Sequence, residues 1–572
     1  MSPVAHTASP ASGYARVPDR SLSLVHGIPL EEEPGLGALT LPGWLREVTH
    51  KFGPREAVVQ PPLRWSYTDL RTRATEVARA LIACGVGKGT RVAILTTNRP
   101  EFLSAFFGTA LAGGIAAPLS TFSTSAELAS LLTASAASVL LFEPRVLKKD
   151  FLEMVLTLAP EVARGTAGGL ASPRYPYLRH TVALDLGAPV GTVEPWAAFL
   201  TRGNGIADSL VEARAATVMP ADPAALFFSS GTTGKPKGVL NAQRGIAIQL
   251  WRWPRIFGLG EDVRCWVANG FFWSAPFGMG IGGALSVGGT LVLQSTFQPE
   301  QALALMEAER VNCPMGWPHQ WAQLVAARNF SSVDLSAMRY VAAESPLAKH
   351  PTVKVDWQEP TRIYGSSETF TLSSAYPAGT PEELLKGAHG FPLPGMTIKV
   401  VDPFSGETLP TGTRGELAVK GTTLMLGYVG TPLDETLDAE GYYRTGDGGY
   451  VDEDGRVYWE GRLNDIIKTG GANVSPLEVD TLLRQFPGVK LSQTVGVPDE
   501  LLGELVVSCV LPHDGAALDE AAIQAFARKH LASFKVPRRV LFLAERDFGQ
   551  TGSAKVKTAE LRKLAAERLA PH

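Results

Sequence analysis

Between Leu70 and Phe142 the chain alternates helix-period and strand-length apolar segments, and this cadence restricts the folds open to it more than any other feature. Leu70, Ala74, Val77 and Leu81 recur at helical spacing, the pattern stops at Gly85, and the apolar run Val92 to Leu95 follows. The same pair of signals then returns twice, as a helix over 100–112 before Ala116 to Leu119 and a helix over 125–135 before Val139 to Phe142. Strands alternating with helices predict a mainly parallel sheet with helices on its faces, an α/β fold. At 572 residues the chain exceeds one compact core, so more than one domain is expected. The segment 151–215, rich in Gly, Pro and Ala without a period, reads as surface loops and short helices.

Charge excludes some functions. A net charge of −3 with 19% charged residues gives no basic excess for nucleic acid or an anionic membrane. No uncharged apolar run approaches the roughly 18 residues of a membrane span. Cys84, Cys265, Cys313 and Cys509 show neither metal nor redox spacing and read as reduced, buried residues of a cytoplasmic protein. The first 20 residues lack the basic and apolar halves of a secretory signal and read as a disordered or loosely docked arm.

The chemistry begins at Phe227 to Val239, FFSSGTTGKPKGV. An apolar strand-length run feeds a loop of Ser229, Ser230, Gly231, Thr232, Thr233 and Gly234, followed by Lys235 and Lys237. Glycines let successive N–H groups converge, hydroxyls add donors and lysines add positive charge, so the loop suits polyphosphate. It is not the phosphate loop of ordinary nucleotide hydrolases, which needs Gly at the position of Ser229 and Ser or Thr at that of Pro236. Pro236, followed by Gly238, Val239 and Leu240, predicts a loop between two strands instead of the start of a helix.

SSGTTGKPKGV resembles the phosphate-binding signature of the adenylate-forming superfamily, which includes acyl-coenzyme A synthetases, peptide-synthetase adenylation domains and luciferases. The other motifs follow in that family's order over roughly 41 to 565. RIYGSSET resembles its Tyr-Gly-x-Thr-Glu motif: the resemblance implies that Tyr364 stacks on adenine, that Gly365, Ser366 and Ser367 border the nucleotide, and that Glu368 holds Mg2+ near the α-phosphate. Ser367 replaces the commoner Thr and keeps the hydroxyl. Glu344 and Ser345, in AAESPL, stand where the family has its adenine-bordering turn. Asp447 in YRTGD and Arg462 in GRLND resemble the ribose-binding pair, separated by a predicted hairpin with Asp454 and Gly455 at its turn.

The same resemblance places further residues. Phe272, Trp273, Phe277 and Met279 lie at the motif bordering the carboxylate pocket, with Trp273 where many members have His, and Trp317 is a further candidate wall. Gly280 to Ala284 reads more simply as a glycine-rich helix packed closely on a sheet. His319 has no placeable partner and reads as a core or helix-start histidine. Asn464 falls at the family's hinge, often Asp or Lys. Gly470 and Gly471 match the glycine loop that approaches coenzyme A, and Lys555 in GSAKVK matches the lysine that meets the reacting carboxylate, with Ala554 replacing the usual Gly.

The resemblance implies an arm over 1–40, a large N-terminal domain of mixed sheets with flanking helices over 41–463, and a small mobile α+β C-terminal domain over 464–572. It implies ATP, Mg2+ and coenzyme A as reaction components, and a small-molecule carboxylic acid as the other substrate. Suspected pocket stretches rich in Phe, Trp, Met and Gly point to an apolar fatty, aromatic or cyclic acid. Three alternatives stand beside the ligase: loading of a carrier-protein thiol, one half-reaction alone, and a nucleotide-binding regulator without turnover. Oligomeric state is not legible.

Overall fold

The computed structural model describes residues 15–16, 21–166, 169–230, 236–360, 362–465, 467–469, 472–499, 502–531, 535–548 and 558–570. Two compact units divide the chain, one within residues 1–16, 26–397 and 420–443, the other within 17–25, 398–419 and 444–572.

In the first unit the predicted alternation is present as Tyr67–Ala83, Arg91–Leu95, Pro100–Leu111, Ile115–Pro118, Ser125–Ser135 and Val139–Phe142. Two of these helices start at reciprocal caps, Ser66 with Asp69 and Thr124 with Glu127, each side chain satisfying the other residue's backbone N–H. The strands pair in parallel within an eight-stranded sheet. Its order runs Val193–Pro195, His180–Ala183, Val139–Phe142, Arg91–Leu95, Ile115–Pro118, Pro223–Ser230, Pro236–Ala242, Gly427–Tyr428. His180–Ala183 and Val193–Pro195 correct the reading of 151–215 as loops and short helices. With four and three residues they are too short to show a period, and pairing beyond Val139–Phe142 makes them strands.

The helices Tyr67–Ala83 and Pro100–Leu111 approach closely at Gly108, where a Cβ would lie 2.8 Å from the Ala74 carbonyl oxygen. Around them Trp44, Phe102, Phe106, Phe107 and Phe277 form an aromatic core, with Trp44 stacked on Phe107 at 5.2 Å and Phe106 against Phe277 at 4.5 Å. A second sheet places Cys313–Met315, Arg264–Val267, Thr290–Val292 and Glu56–Gln60 in parallel, with Leu63–Ser66 antiparallel at its edge. Its Cys265 and Cys313 are register partners and buried. The glycine-rich segment forms a helix tight against this sheet: a Cβ on Gly280 would come within 2.7 Å of Val267 Cγ2.

Part of the expected N-terminal arm is packed. Glu33 pairs with Arg252 in a two-pronged contact, Nε to Oε1 at 2.9 Å and Nη2 to Oε2 at 2.8 Å, with side chains 1% and 0% exposed. Burial holds the Arg252 pKa below its ordinary value; Glu33 and the Pro394 carbonyl take up Nε and Nη2, while Nη1 is buried without a hydrogen-bond partner among the described residues.

Tyr443–Val451 and Val457–Arg462 form the predicted hairpin, which belongs to the second unit from residue 444 on. Asp452 accepts from the N–H groups of Asp454 and Arg456 across the turn, and Gly455 takes a φ of 86° that a side chain would disfavour. Further along, a sheet of Ala472–Val474, Ile467–Thr469, Gly503–Pro512, Val489–Asp499 and Arg539–Phe542 packs with the helices Pro476–Leu483 and Glu520–His530 around Ile467, Val479, Val506 and Ile523. This is an α+β arrangement with its own core. Cys509, on its long strand, is buried, which pushes its thiol up to about 12. Among the described residues no helix is long and apolar enough to cross a membrane.

Candidate active site

The strands on either side of the Ser/Thr/Gly run pair antiparallel, Ser229 opposite Lys237 and Ser230 opposite Pro236. A strand therefore begins at Pro236, as its chemistry predicts. Gly231, Thr232, Thr233, Gly234 and Lys235 lie outside the described residues, as do Gly470, Gly471, Lys555 and the side chains of Ser230, His319 and Asn464.

The RIYGSSET motif folds back on itself. Tyr364 donates its N–H to Ser374 at 3.0 Å and accepts from Ser373 at 2.8 Å, while Thr371 N–H reaches Ser366 at 2.8 Å. Phe370 and Thr371 take φ values of 45° and 90°, and the turn permits no side chain at Gly365, where a Cβ would lie 1.7 Å from the Thr371 oxygen. Two anchors hold this strained turn. The Phe370 ring is buried against Phe227 at 5.3 Å, and Gln249 Nε2 donates to the carbonyls of Thr369 and Leu372 at 3.2 and 2.7 Å.

The turn buries Glu368 to 8% exposure. Tyr428 donates its O–H to Glu368 Oε1 at 2.7 Å, and Tyr443 Oη lies 2.8 Å from Tyr428 Oη. Burial first, then the neighbouring carboxylate, hold the Tyr428 phenol far above its ordinary pKa, so it remains a donor. The other Glu368 oxygen has no hydrogen bond from the described residues. A nearly buried carboxylate with one oxygen left for an external partner suits a cation carried in with a phosphate ligand. No group of three or more His, Cys, Asp or Glu side chains among the described residues forms a separate metal site.

Next to Glu368, the Ser367 hydroxyl lies 3.3 Å from that of Ser274, and Ser274 follows the aromatic pair Phe272 and Trp273. Trp273 stands 4.6 Å from Phe272, 5.0 Å from Trp317 and 5.7 Å from Phe122, the last nearly parallel at 27°. Phe122 is 53% exposed, so this ring cluster opens to solvent on one side. Asn98 donates to the Asn269 carbonyl at 2.8 Å and accepts from Phe271 at 2.9 Å, and Gln320 ties Asn269 to Trp317. Phe277, grouped with these rings in the sequence, is placed in the core against Phe106, Phe227 and Phe370, and Met279 packs on that core half-buried. Sequence reasoning missed Phe122, Asn98, Gln320, Tyr428 and Tyr443.

Ser345 makes a local cap, its Oγ accepting from Leu347 N–H at 3.3 Å, and Tyr364 is buried. Glu344 borders a cavity of about 630 Å³ shared with Trp357, Glu359, Arg362 and Lys386. Burial, then the Glu344 charge, push the Glu359 carboxyl up. In the second unit Asp447 and Arg462 are cross-strand partners, with Arg462 Nε 3.1 Å from Asp447 Oδ1 and Arg462 Nη1 donating to the Thr445 carbonyl at 2.6 Å. Fifteen positions of hairpin bring them together.

Solved structures with this architecture include ATP-bound MatB from Rhodopseudomonas palustris, at 25% identity, TM-score 0.73 and coverage of 92% of this chain and 100% of that one. An anthranilate CoA ligase, AuaEII, crystallised with anthranoyl-AMP, shares the fold at 23% identity and TM-score 0.76, over 95% of this chain and all of its own. The fold is thus that of the adenylate-forming enzymes. The model of the AMP-binding enzyme family matches residues 45–429, and that of the AMP-binding enzyme C-terminal domain matches 478–555. A CoA ligase of a methyl-dioxo-octahydroindenyl propanoic acid from Mycobacterium tuberculosis is 32% identical over 92% of this chain and 99% of its own length, and a feruloyl-CoA synthase from Amycolatopsis is 31% identical over 87% and 93%. The chain belongs to the AMP-binding enzyme family, in its acyl-CoA synthetase branch.

Proposed function

We propose that the protein joins an apolar, preferentially ring-bearing carboxylic acid to coenzyme A, using ATP and passing through an acyl-adenylate. The observation that carries this reading is the continuity from the buried Glu368 carboxylate, through the Ser367 and Ser274 hydroxyls, to the open ring cluster of Trp273, Trp317 and Phe122. One end suits phosphate and its cation, the other a flat apolar body. The names of relatives acting on ferulic and indenyl propanoic acids support the same choice.

A carboxylate resists nucleophiles because of its charge and resonance, so one oxygen has to become a leaving group. In the first step that oxygen attacks the α-phosphorus of ATP and pyrophosphate departs. In the second, the coenzyme A sulfur attacks the acyl carbon, loses its proton and expels AMP. Glu368 would hold Mg2+, which when bound supplies charge neutralisation at the phosphates. Ser229 and the loop after it would bind phosphate, Tyr364 the adenine face, Asp447 and Arg462 the ribose, and Lys555 the reacting carboxylate. Gly470 and Gly471 would admit the thiol arm, with the hinge at Asn464 between domains over 41–463 and 464–572. Four unpaired cysteines support a reducing, cytoplasmic compartment.

The test is mass-spectrometric product analysis with Mg2+, ATP, coenzyme A and a panel of aromatic, cyclic and linear fatty acids. Acyl-CoA with AMP, best with ring acids, is the expected result. Acyl-adenylate without thioester would instead favour a carrier-protein acceptor or a single half-reaction, and ATP binding without any product would favour a regulator.

A further inference from the structure

We propose that Tyr428 is a positioning residue for Glu368. Its O–H fixes one carboxylate oxygen, so that the other is presented in a single orientation to the cation that accompanies ATP. The inference rests on the reading of Glu368 given above and adds a residue to it.

The direction of the hydrogen bonds is set by proton supply. Tyr428 has one O–H and spends it on Glu368 Oε1 at 2.7 Å, because a carboxylate can only accept. The 2.8 Å contact between the two phenols therefore has Tyr443 as donor, and the chain runs Tyr443 to Tyr428 to Glu368. A donor that is itself hydrogen-bonded is polarised and binds the carboxylate more firmly.

The backbone holds both ends of this contact on one scaffold. Met425 N–H donates to the Glu368 carbonyl at 2.7 Å, which ties the carboxylate's own residue to the segment bearing the phenol. On the far side Leu426 N–H meets the Leu240 carbonyl at 2.7 Å and Val429 N–H meets that of Gly238 at 2.9 Å, with Tyr428 opposite Val239. These partners belong to the strand Pro236–Ala242, which leaves the Ser/Thr/Gly run. From the same strand Lys237 places its ammonium 5.0 Å above the Tyr428 ring. The phenol is thereby braced by the strand that follows the phosphate loop while it grips the carboxylate, and a shift of either is felt by the other. A tyrosine that merely filled space would need neither hydroxyl.

The test uses the full-length chain and four proteins: wild type, Tyr428→Phe, Tyr443→Phe and Glu368→Gln. ATP binding is measured by calorimetry with Mg2+ and again with the metal removed by chelator, alongside pyrophosphate exchange and the thermal midpoint. Loss of a hydrogen bond to a charged group is expected to weaken ATP binding about tenfold in Tyr428→Phe with Mg2+ present and to leave metal-free ATP binding unchanged. In pyrophosphate exchange kcat is expected to fall with little change in KM for the acid, and Tyr443→Phe to show a smaller effect of the same kind. Equal Mg2+-dependent affinity in wild type and Tyr428→Phe, with Glu368→Gln impaired, overturns the role of Tyr428 alone. An unimpaired Glu368→Gln overturns the reading of Glu368 and this inference with it. Should Tyr428→Phe fail to fold, Tyr443→Phe, which keeps the phenol on Glu368 and removes only the donor behind it, decides by the same metal-dependent difference.

Discussion

His389 illustrates how a single half-buried group bears on the acid stability of a fold. Burial, assisted by the nearby Arg362 charge, lowers its pKa from 6.5 to about 4. The folded value lies below the unfolded one, so the stability it contributes is fully present above pH 6.5 and is lost as pH falls toward 4. At about 1.4 kcal/mol per unit, the loss across that window is on the order of 3 kcal/mol. Urea unfolding of wild type and His389→Asn at several pH values between 7 and 4.5 should show a steep decline in the first and a flatter one in the second; parallel declines would show that the histidine is not the group responsible. Glu33 and Arg252 pose the same problem of a buried charge and solve it by mutual hydrogen bonding rather than by loss of a proton.

At the scale of elements, the turn from Tyr364 to Ser374 works as one piece. A methyl group on Gly365 would collide with the Thr371 carbonyl at 1.7 Å, so Gly365→Ala has to displace the backbone that carries Glu368. Displacements near 1 Å at a reacting group cost about a hundredfold in rate. Pyrophosphate exchange should fall by roughly that factor in Gly365→Ala, with a stability loss of about 1–3 kcal/mol by urea unfolding; near-normal exchange would mean that the turn relaxes without moving the carboxylate. The motif within this turn was legible because its residues are contiguous and resemble a family signature; the turn itself was not read from the sequence. The central strands and helices were legible for the same reason, since a period needs only neighbours along the chain. Tyr428 meets Glu368 across 60 positions and Asn98 meets Asn269 across 171, and no local pattern encodes such meetings. His180–Ala183 and Val193–Pro195 were illegible for a different cause: so short a strand acquires its identity from the strand beside it. The ring cluster was half legible, because Trp273 and Trp317 stood in suggestive stretches whereas Phe122 did not, and only packing separates them from Phe277.

For the whole molecule, the proposed reaction assigns its two steps to different parts of the chain. The first would need Lys555 and the second would not. Lys555→Ala should suppress acyl-adenylate formation while sparing thioester formation from supplied acyl-adenylate, each followed by chromatography; equal loss of both steps, or no loss, would contradict that division. The distribution of cysteines offers a way to follow the two units separately. Cys265 and Cys313 face one another as register partners inside the first unit, and Cys509 is buried on a strand of the second. With the half-buried Cys84 replaced, a thiol-specific reagent meets no accessible thiol until a sheet opens. Each unit thus carries its own chemical clock, and the rates at which Cys509 and the Cys265–Cys313 pair become labelled would time the breathing of one half of the enzyme against the other.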